Sequence, residues 1–169
     1  MPIALTSLQV AARRATPQRV RTLTEARTLG IRTVFLSHSH RDAELVQGFV
    51  VLLVDSGWRV YIDWRDTSMP ERPNRDTAIR LQQKIVDLDF FLFLATPNSM
   101  ASRWCPWEIG YANGQKPIDR IIVCPTSEGS ATHGSEYLDV YRRLDLSDSA
   151  RLAVWQPGDS RSGILVSDL

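Results

Sequence analysis

The sequence predicts an α/β domain built on a parallel β-sheet, and three observations carry that prediction. TVFLS at 33–37 and DFFLFLAT at 89–96 are apolar on both faces, as strands buried in the middle of a parallel sheet must be. Between such runs lie stretches with apolar residues at helical spacing, so strands and helices alternate as in βαβ units. The length, 169 residues, suffices for one domain with a substantial core and is too short for two.

Residues 1–30 read as an N-terminal helical extension broken near Pro17. They carry Arg13, Arg14, Arg19, Arg21 and Arg27 against a single acid, Glu25. That basic, Ser/Thr-bearing composition also suits a mitochondrial transit peptide, and a surface-docked extension is the preferred reading. The first strand, 33–37, leads into RDAELVQGFVVLLVDSG, where Leu45, Phe49, Leu52 and Leu53 recur at helical spacing. Gly57 suits a left-handed helix end and opens the strand WRVYIDW at 58–64. Residues 76–87 form a second helix, for which Asp76 or Thr77 is the expected N-cap. After the strand at 89–96, a third helix starts close to Pro106, because proline is tolerated in a helix's first turn. DRIIVCP at 119–125 reads as another strand, a fifth is expected around 141–147, and RLAVWQPGD as a short edge element. The expected division is extension 1–30, main domain 31–148 and a tail, 149–169, packing on it.

Composition excludes more than it assigns. Lys and Arg number 20 against 19 Asp and Glu, a formal net charge of +1 with no general pull toward nucleic acid or anionic membrane. No apolar run approaches the ~20 residues of a membrane span. Two cysteines, Cys105 and Cys124, are too few for a disulfide framework or zinc knuckle and suit packed, reduced thiols of a cytoplasmic protein. No glycine-rich phosphate loop follows any strand.

Ligands of open parallel sheets bind beyond the carboxyl ends of the strands, so the loops after residues 37, 63, 96 and 125 are where a site belongs. SHSHRD, residues 37–42, holds the residue types of a hydrolase triad, but contiguous Ser37, His38 and Asp42 cannot be oriented as one. His38 and His40 alternate with no third ligand in register, a poor metal site. Ser37 and His40 suit capping of the next helix and Asp42 its dipole. Trp104 and Glu108 are four apart, on one face if both are helical, and start the helix that follows the central strand.

In this order and spacing, TVFLSHSHRD, GWRVYIDW, the polar loop 63–76, DFFLFLATPNSMASRWCPWEIGYA and RIIVCP resemble a bacterial TIR (Toll/interleukin-1 receptor) domain over roughly residues 31–147. The pattern S-x-W-C-x-x-E after an apolar strand is the most specific part. SHSHRD is similar to the family's Ser-x-Ser-x-x-Asp box, with His38 where an aromatic is common.

The resemblance implies a flavodoxin-like fold: a central parallel sheet of about five strands with helices on both faces. It also implies cleavage of NAD+ at the nicotinamide–ribose bond, to ADP-ribose or a cyclic isomer, as an NAD+ nucleosidase or ADP-ribosyl cyclase. Carried over by residue, Glu108 takes the catalytic position and Trp104 lines the site. Ser37 and His38 fall at the pocket floor and Asp63, Trp64 and Arg65 at its rim. The loop 63–76 corresponds to the assembly loop, with Asp66, Met69, Pro70 and Arg72 as contact residues. NAD+ enters as substrate, with no cofactor or metal implied. Implied partners are further copies of the chain and a separate effector responding to the product, as in antiphage systems of Thoeris type. The competing expectation is a non-catalytic TIR–TIR interaction module, in which Glu108 is structural.

Overall fold

In chain order the first elements are β1 (Ile3–Ala4), α1 (Leu5–Ala12), α2 (Leu23–Thr28), β2 (Arg32–Ser37), α3 (Ala43–Asp55), β3 (Val60–Asp63) and α4 (Arg75–Asp87). They are followed by β4 (Phe90–Ala95), α5 (Pro97–Met100), α6 (Cys105–Gln115), β5 (Ile121–Glu128), β6 (Ala131–His133), β7 (Arg142–Leu146), β8 (Leu152–Trp155) and β9 (Ile164–Leu165). The structure, a computed structural model, describes residues 1–15, 22–58, 60–63 and 74–169, with 60–63 described as backbone.

Five strands run parallel in the order β3-β2-β4-β5-β7, and β8 and β9 continue the sheet antiparallel beyond β7. This is the doubly wound order in which the chain turns back between β2 and β4, leaving a crevice at their carboxyl ends. The expected five-strand parallel sheet with helices on both faces is what the chain forms. RLAVWQPGD supplies β8, which is internal rather than an edge because β9 pairs along its outer side.

Alternation along each strand sends side chains to two separate cores. Val34, Leu36, Leu92, Leu94, Ile122 and Cys124 meet Val46, Phe49 and Leu53 of α3 on one face. Phe35, Phe91, Phe93, Ile121 and Val123 meet Leu81 and Ile85 of α4 and Ile109 and Ala112 of α6 on the other. Thr33 and Asp89 fix the register at the opposite end of β2 and β4. The Asp89 carboxylate accepts from the Thr33 backbone N–H at 2.7 Å and hydroxyl at 2.9 Å, and the Thr33 hydroxyl accepts from the Asp89 N–H at 3.0 Å.

Helix ends obey local chemistry, with one displacement from expectation. Gly57 closes α3 at φ +78, the left-handed conformation that favours glycine. The cap of α4 is Asn74, whose Oδ1 accepts from the Thr77 N–H at 2.9 Å, so Asp76 and Thr77 lie inside the first turn instead of capping it. Asn, Asp and Thr all cap well, and sequence alone did not rank Asn74, at the end of a polar loop, above its neighbours.

Residues 3–12 and the chain after 148 are built into the sheet and core. β1 pairs with the carboxyl end of β5, and Ile3 and Leu8 are fully buried beside Leu92, Leu94 and Ile122. After β7 the chain makes antiparallel strands instead of returning as a helix, and α1 covers that part of the α3 face. Its approach to α3 is so close that a Cβ on Gly48 would lie 1.8 Å from the Leu8 carbonyl oxygen. The expected break near Pro17 falls at residues 16–21, outside the described residues. Among the described residues no helix is long and apolar enough to cross a membrane.

The Gly48 contact yields a stability test. Replacing Gly48 with Ala forces α1 off α3 and should cost about 2–3 kcal/mol, within the usual range for overpacking. That corresponds to a fall in Tm of roughly 5–10 °C for a domain of this size. A Tm unchanged in thermal denaturation followed by circular dichroism would refute the docking of α1.

Candidate active site

Register and alternation place the first site residue. Ser37 ends β2 opposite Phe93 and follows Phe35 by two, so its side chain faces the α6 core, where it is 1% exposed. At the end of β4, Thr96 caps the short helix α5 through a capping box with Ser99. The chain then turns on Ser102, whose Oγ accepts from the Trp104 N–H at 3.1 Å and the Cys105 N–H at 3.4 Å. With Pro106 in the first turn, α6 starts, and the Glu108 N–H bonds the Trp104 carbonyl at 2.8 Å. That turn gives the pattern S-x-W-C-x-x-E its local meaning: Ser102 turns the chain, Pro106 starts the helix, and Glu108 follows on its inner face.

Ser37 and Glu108 meet across 71 residues of sequence. The Ser37 hydroxyl donates to Glu108 Oε2 at 2.5 Å, and the carboxylate is 5% exposed. Among the described residues no cation pairs with it. Burial pushes the Glu108 pKa up to about 7, and the Ser37 hydrogen bond opposes that rise by favouring the charged form. Cys105 stands in the same cluster, its thiol pushed up to about 11 by burial first and by the Glu108 charge second, which keeps it protonated and unreactive.

His38, one residue beyond β2, is half-buried. Its Nδ1 lies 2.8 Å from the Leu36 carbonyl oxygen, which accepts from it, so Nδ1 carries the proton and Nε2 presents a lone pair. Burial lowers the His38 pKa and keeps the ring neutral. Trp104 is half-buried at the mouth of α6, its ring edge-on to Trp107 at 5.1 Å and 84°. Trp107 in turn stacks on Tyr111 at 5.7 Å, so an aromatic row runs along α6 from the site.

The fold therefore brings Ser37 into contact with Glu108, while His38 follows Ser37 in the chain and Trp104 stands one helical turn before Glu108. Ser37 is engaged with the carboxylate instead of capping the next helix. Ser39 instead caps the single 3-10 turn His40–Asp42 that precedes α3, its Oγ accepting from the Arg41 N–H at 3.3 Å, and His40 makes no cap. Asp42 holds the N-cap position of α3, at the positive end of that helix's dipole, without a side-chain cap bond. It is 3% exposed and accepts from the Thr96 hydroxyl at 2.5 Å and the Asn98 amide at 2.7 Å. This bridge between the ends of β2 and β4 was invisible in the sequence, because its members lie 54 and 56 residues apart. Asp63 closes β3 opposite Phe35, described as backbone. Trp64 and Arg65, and the assembly-loop residues Asp66, Met69, Pro70 and Arg72, lie outside the described residues.

Two relatives show what the chain is similar to. A Bacillus cereus (strain MSX-D12) protein named "Probable 3' cyclic ADP-D-ribose synthase ThsB'" is 33% identical over 111 residues, 64% of this chain and 58% of that protein. A Cytobacillus dafuensis protein named "Putative cyclic ADP-D-ribose synthase TIR2" is 27% identical over 94 residues, 54% of this chain and 24% of that protein. The aligned region thus spans little more than half of the first relative and about a quarter of the second. The family model described as TIR domain matches residues 34–154, from the middle of β2 through β8, a stretch that contains both Ser37 and Glu108. On that match, the chain belongs to the TIR domain family.

Proposed function

We propose that the chain cleaves NAD+ at the nicotinamide–ribose bond and closes the remaining ADP-ribose into a cyclic isomer, with Glu108 as the catalytic carboxylate. The observation that carries this reading is a carboxylate buried at the carboxyl end of a parallel sheet, held by Ser37 at 2.5 Å and lacking a cation partner among the described residues. A buried acid without a cation costs stability, and sites that keep such groups use them chemically. The names of the two relatives support the same reaction class.

The chemistry suits a single carboxylate. Nicotinamide departs as a neutral ring from a cationic pyridinium, so the leaving group needs no acid, unlike ordinary glycoside hydrolysis with its two carboxyl groups. What needs help is the positive charge that develops on the ribose. Ser37 fixes Oε2, which leaves Oε1 to face the ribose hydroxyls and the oxocarbenium-like carbon. The bound pyridinium cation lowers the Glu108 pKa and returns the group to its charged form when it is needed. Trp104 offers a flat apolar face to a heteroaromatic ring. The reading extends to assembly with further copies through the loop 63–76 and to a separate effector that responds to the product.

Glu108→Gln should reduce nicotinamide release by roughly 100-fold or more, the scale of removing one preorganised electrostatic group. The assay is purified protein at high concentration with a crowding agent, NAD+ and chromatographic detection. Release undiminished in the variant would sink the catalytic reading and leave an interaction module.

A second test separates burial from catalysis. Because the folded pKa is raised from 4.5 to about 7, the protonated acid suits the fold, and stability falls as pH rises through that interval. At 1.36 kcal/mol per pH unit the loss is roughly 3 kcal/mol. The Tm of Glu108→Gln minus that of the unsubstituted protein should therefore grow between pH 4.5 and 8. A difference independent of pH would show that Glu108 ionises as freely as in water.

A further inference from the structure

Cyclisation poses a proton problem that cleavage does not. When a ribose hydroxyl attacks the anomeric carbon, its oxygen must shed a proton as the new C–O bond forms. Nicotinamide leaves neutral and takes none.

Among the described side chains at this end of the sheet, few are fit to accept it. Glu108 faces the developing cation, and protonating it would remove the charge that stabilises that cation. The Cys105 thiol is protonated and 1% exposed. The Asp42 carboxylate is buried and occupied by the Thr96 hydroxyl and the Asn98 amide. The Ser37 hydroxyl already donates to Glu108. His40 is exposed and two residues further from the strand end. His38 differs from all of these. Its Nδ1–H is tied to the Leu36 carbonyl at 2.8 Å, so ring orientation and tautomer are set and Nε2 keeps a lone pair with no partner among the described residues. The next residue back, Ser37, touches the catalytic carboxylate.

We propose that the His38 imidazole is the general base of ring closure, its Nε2 taking the proton from a ribose hydroxyl of the adenosine half as that oxygen attacks the anomeric carbon. The proposal rests on the cleavage reading above. The C–N bond to nicotinamide breaks with its electron pair leaving on the nicotinamide nitrogen. A lone pair of the hydroxyl oxygen forms the new C–O bond, and the proton passes to Nε2 and then to solvent. The products are nicotinamide, an O-linked cyclic ADP-ribose and one proton. Attack by adenine N1 would use a lone pair on an atom that bears no proton, and a base would have no part in it. The assignment therefore commits the chain to an O-linked product. Water differs again, since it delivers its proton to bulk solvent, so loss of the base should favour linear ADP-ribose.

The test compares His38→Asn and His38→Phe with the unsubstituted protein. Asn keeps a donor for the Leu36 carbonyl and removes Nε2; Phe keeps the ring shape and removes both nitrogens. Each variant is checked by its melting temperature, and NAD+ products are separated against authentic O-linked, N1-linked and linear standards. The expected result is an O-linked product from the unsubstituted protein and a fall of at least tenfold in the ratio of cyclic to linear product in the variants, whatever the total rate. A ratio unchanged in either folded variant would overturn the base assignment. So would Glu108-dependent release with N1-linked or wholly linear product, which leaves the cleavage reading standing. Absence of Glu108-dependent release from the unsubstituted protein would remove that reading and the base with it.

Discussion

The parallel pairing of β2 with β4 is the constraint on which the rest of the molecule hangs. These neighbours in the sheet are not consecutive along the chain, and the chain leaves them toward opposite faces: β2 into α3, β4 into α6. A crevice opens where they part. Ser37 ends one strand with its side chain on the α6 side, and α6 returns Glu108 to it. The Asp42 carboxylate, gripped by Thr96 and Asn98, ties the two departing connections together beside that contact. Slipping β2 by one residue against β4 would send Ser37 to the α3 face and break the site, because side chains alternate along a strand.

The site is also where the fold gives up stability. A fully apolar residue at the Glu108 position would suit the α6 core, whose other members are aromatic and aliphatic. Retaining a carboxylate there, with one hydroxyl as its only partner among the described residues, raises its pKa and makes the folded state less comfortable as the group ionises. Under the proposed cleavage of NAD+, the cationic substrate would supply the missing counter-charge.

Much of this was legible in the sequence. The strands were apolar over both faces, the helices carried a 3.6-residue period, and Glu108 stood out because a charged residue near a helix start lay just past the strongest strand. Other features were not, for physical reasons. The Asp42 bridge depends on residues far apart in sequence. The docking of residues 1–12 rests on Ile3, Leu8 and Ala11, and a short apolar stretch of that kind does not name the helix it will pack against. Asn74 as a cap hid among several polar residues of equal capping strength. His38 looked like one histidine of a pair, and its Nδ1 contact with the Leu36 carbonyl, which separates it from His40, is a matter of side-chain geometry.

The close approach of α1 to α3 reaches beyond local packing. Gly48 sits in mid-helix, where glycine is a poor helix former, and its place there makes sense through the Leu8 carbonyl that lies against it. The glycine is thus tied to the presence of α1 and its backbone, whatever side chain position 8 carries. In homologues whose α3 is left bare, or is covered by a helix from another part of the chain at ordinary distance, selection has no reason to keep a glycine at this point and every reason to replace it with alanine or leucine.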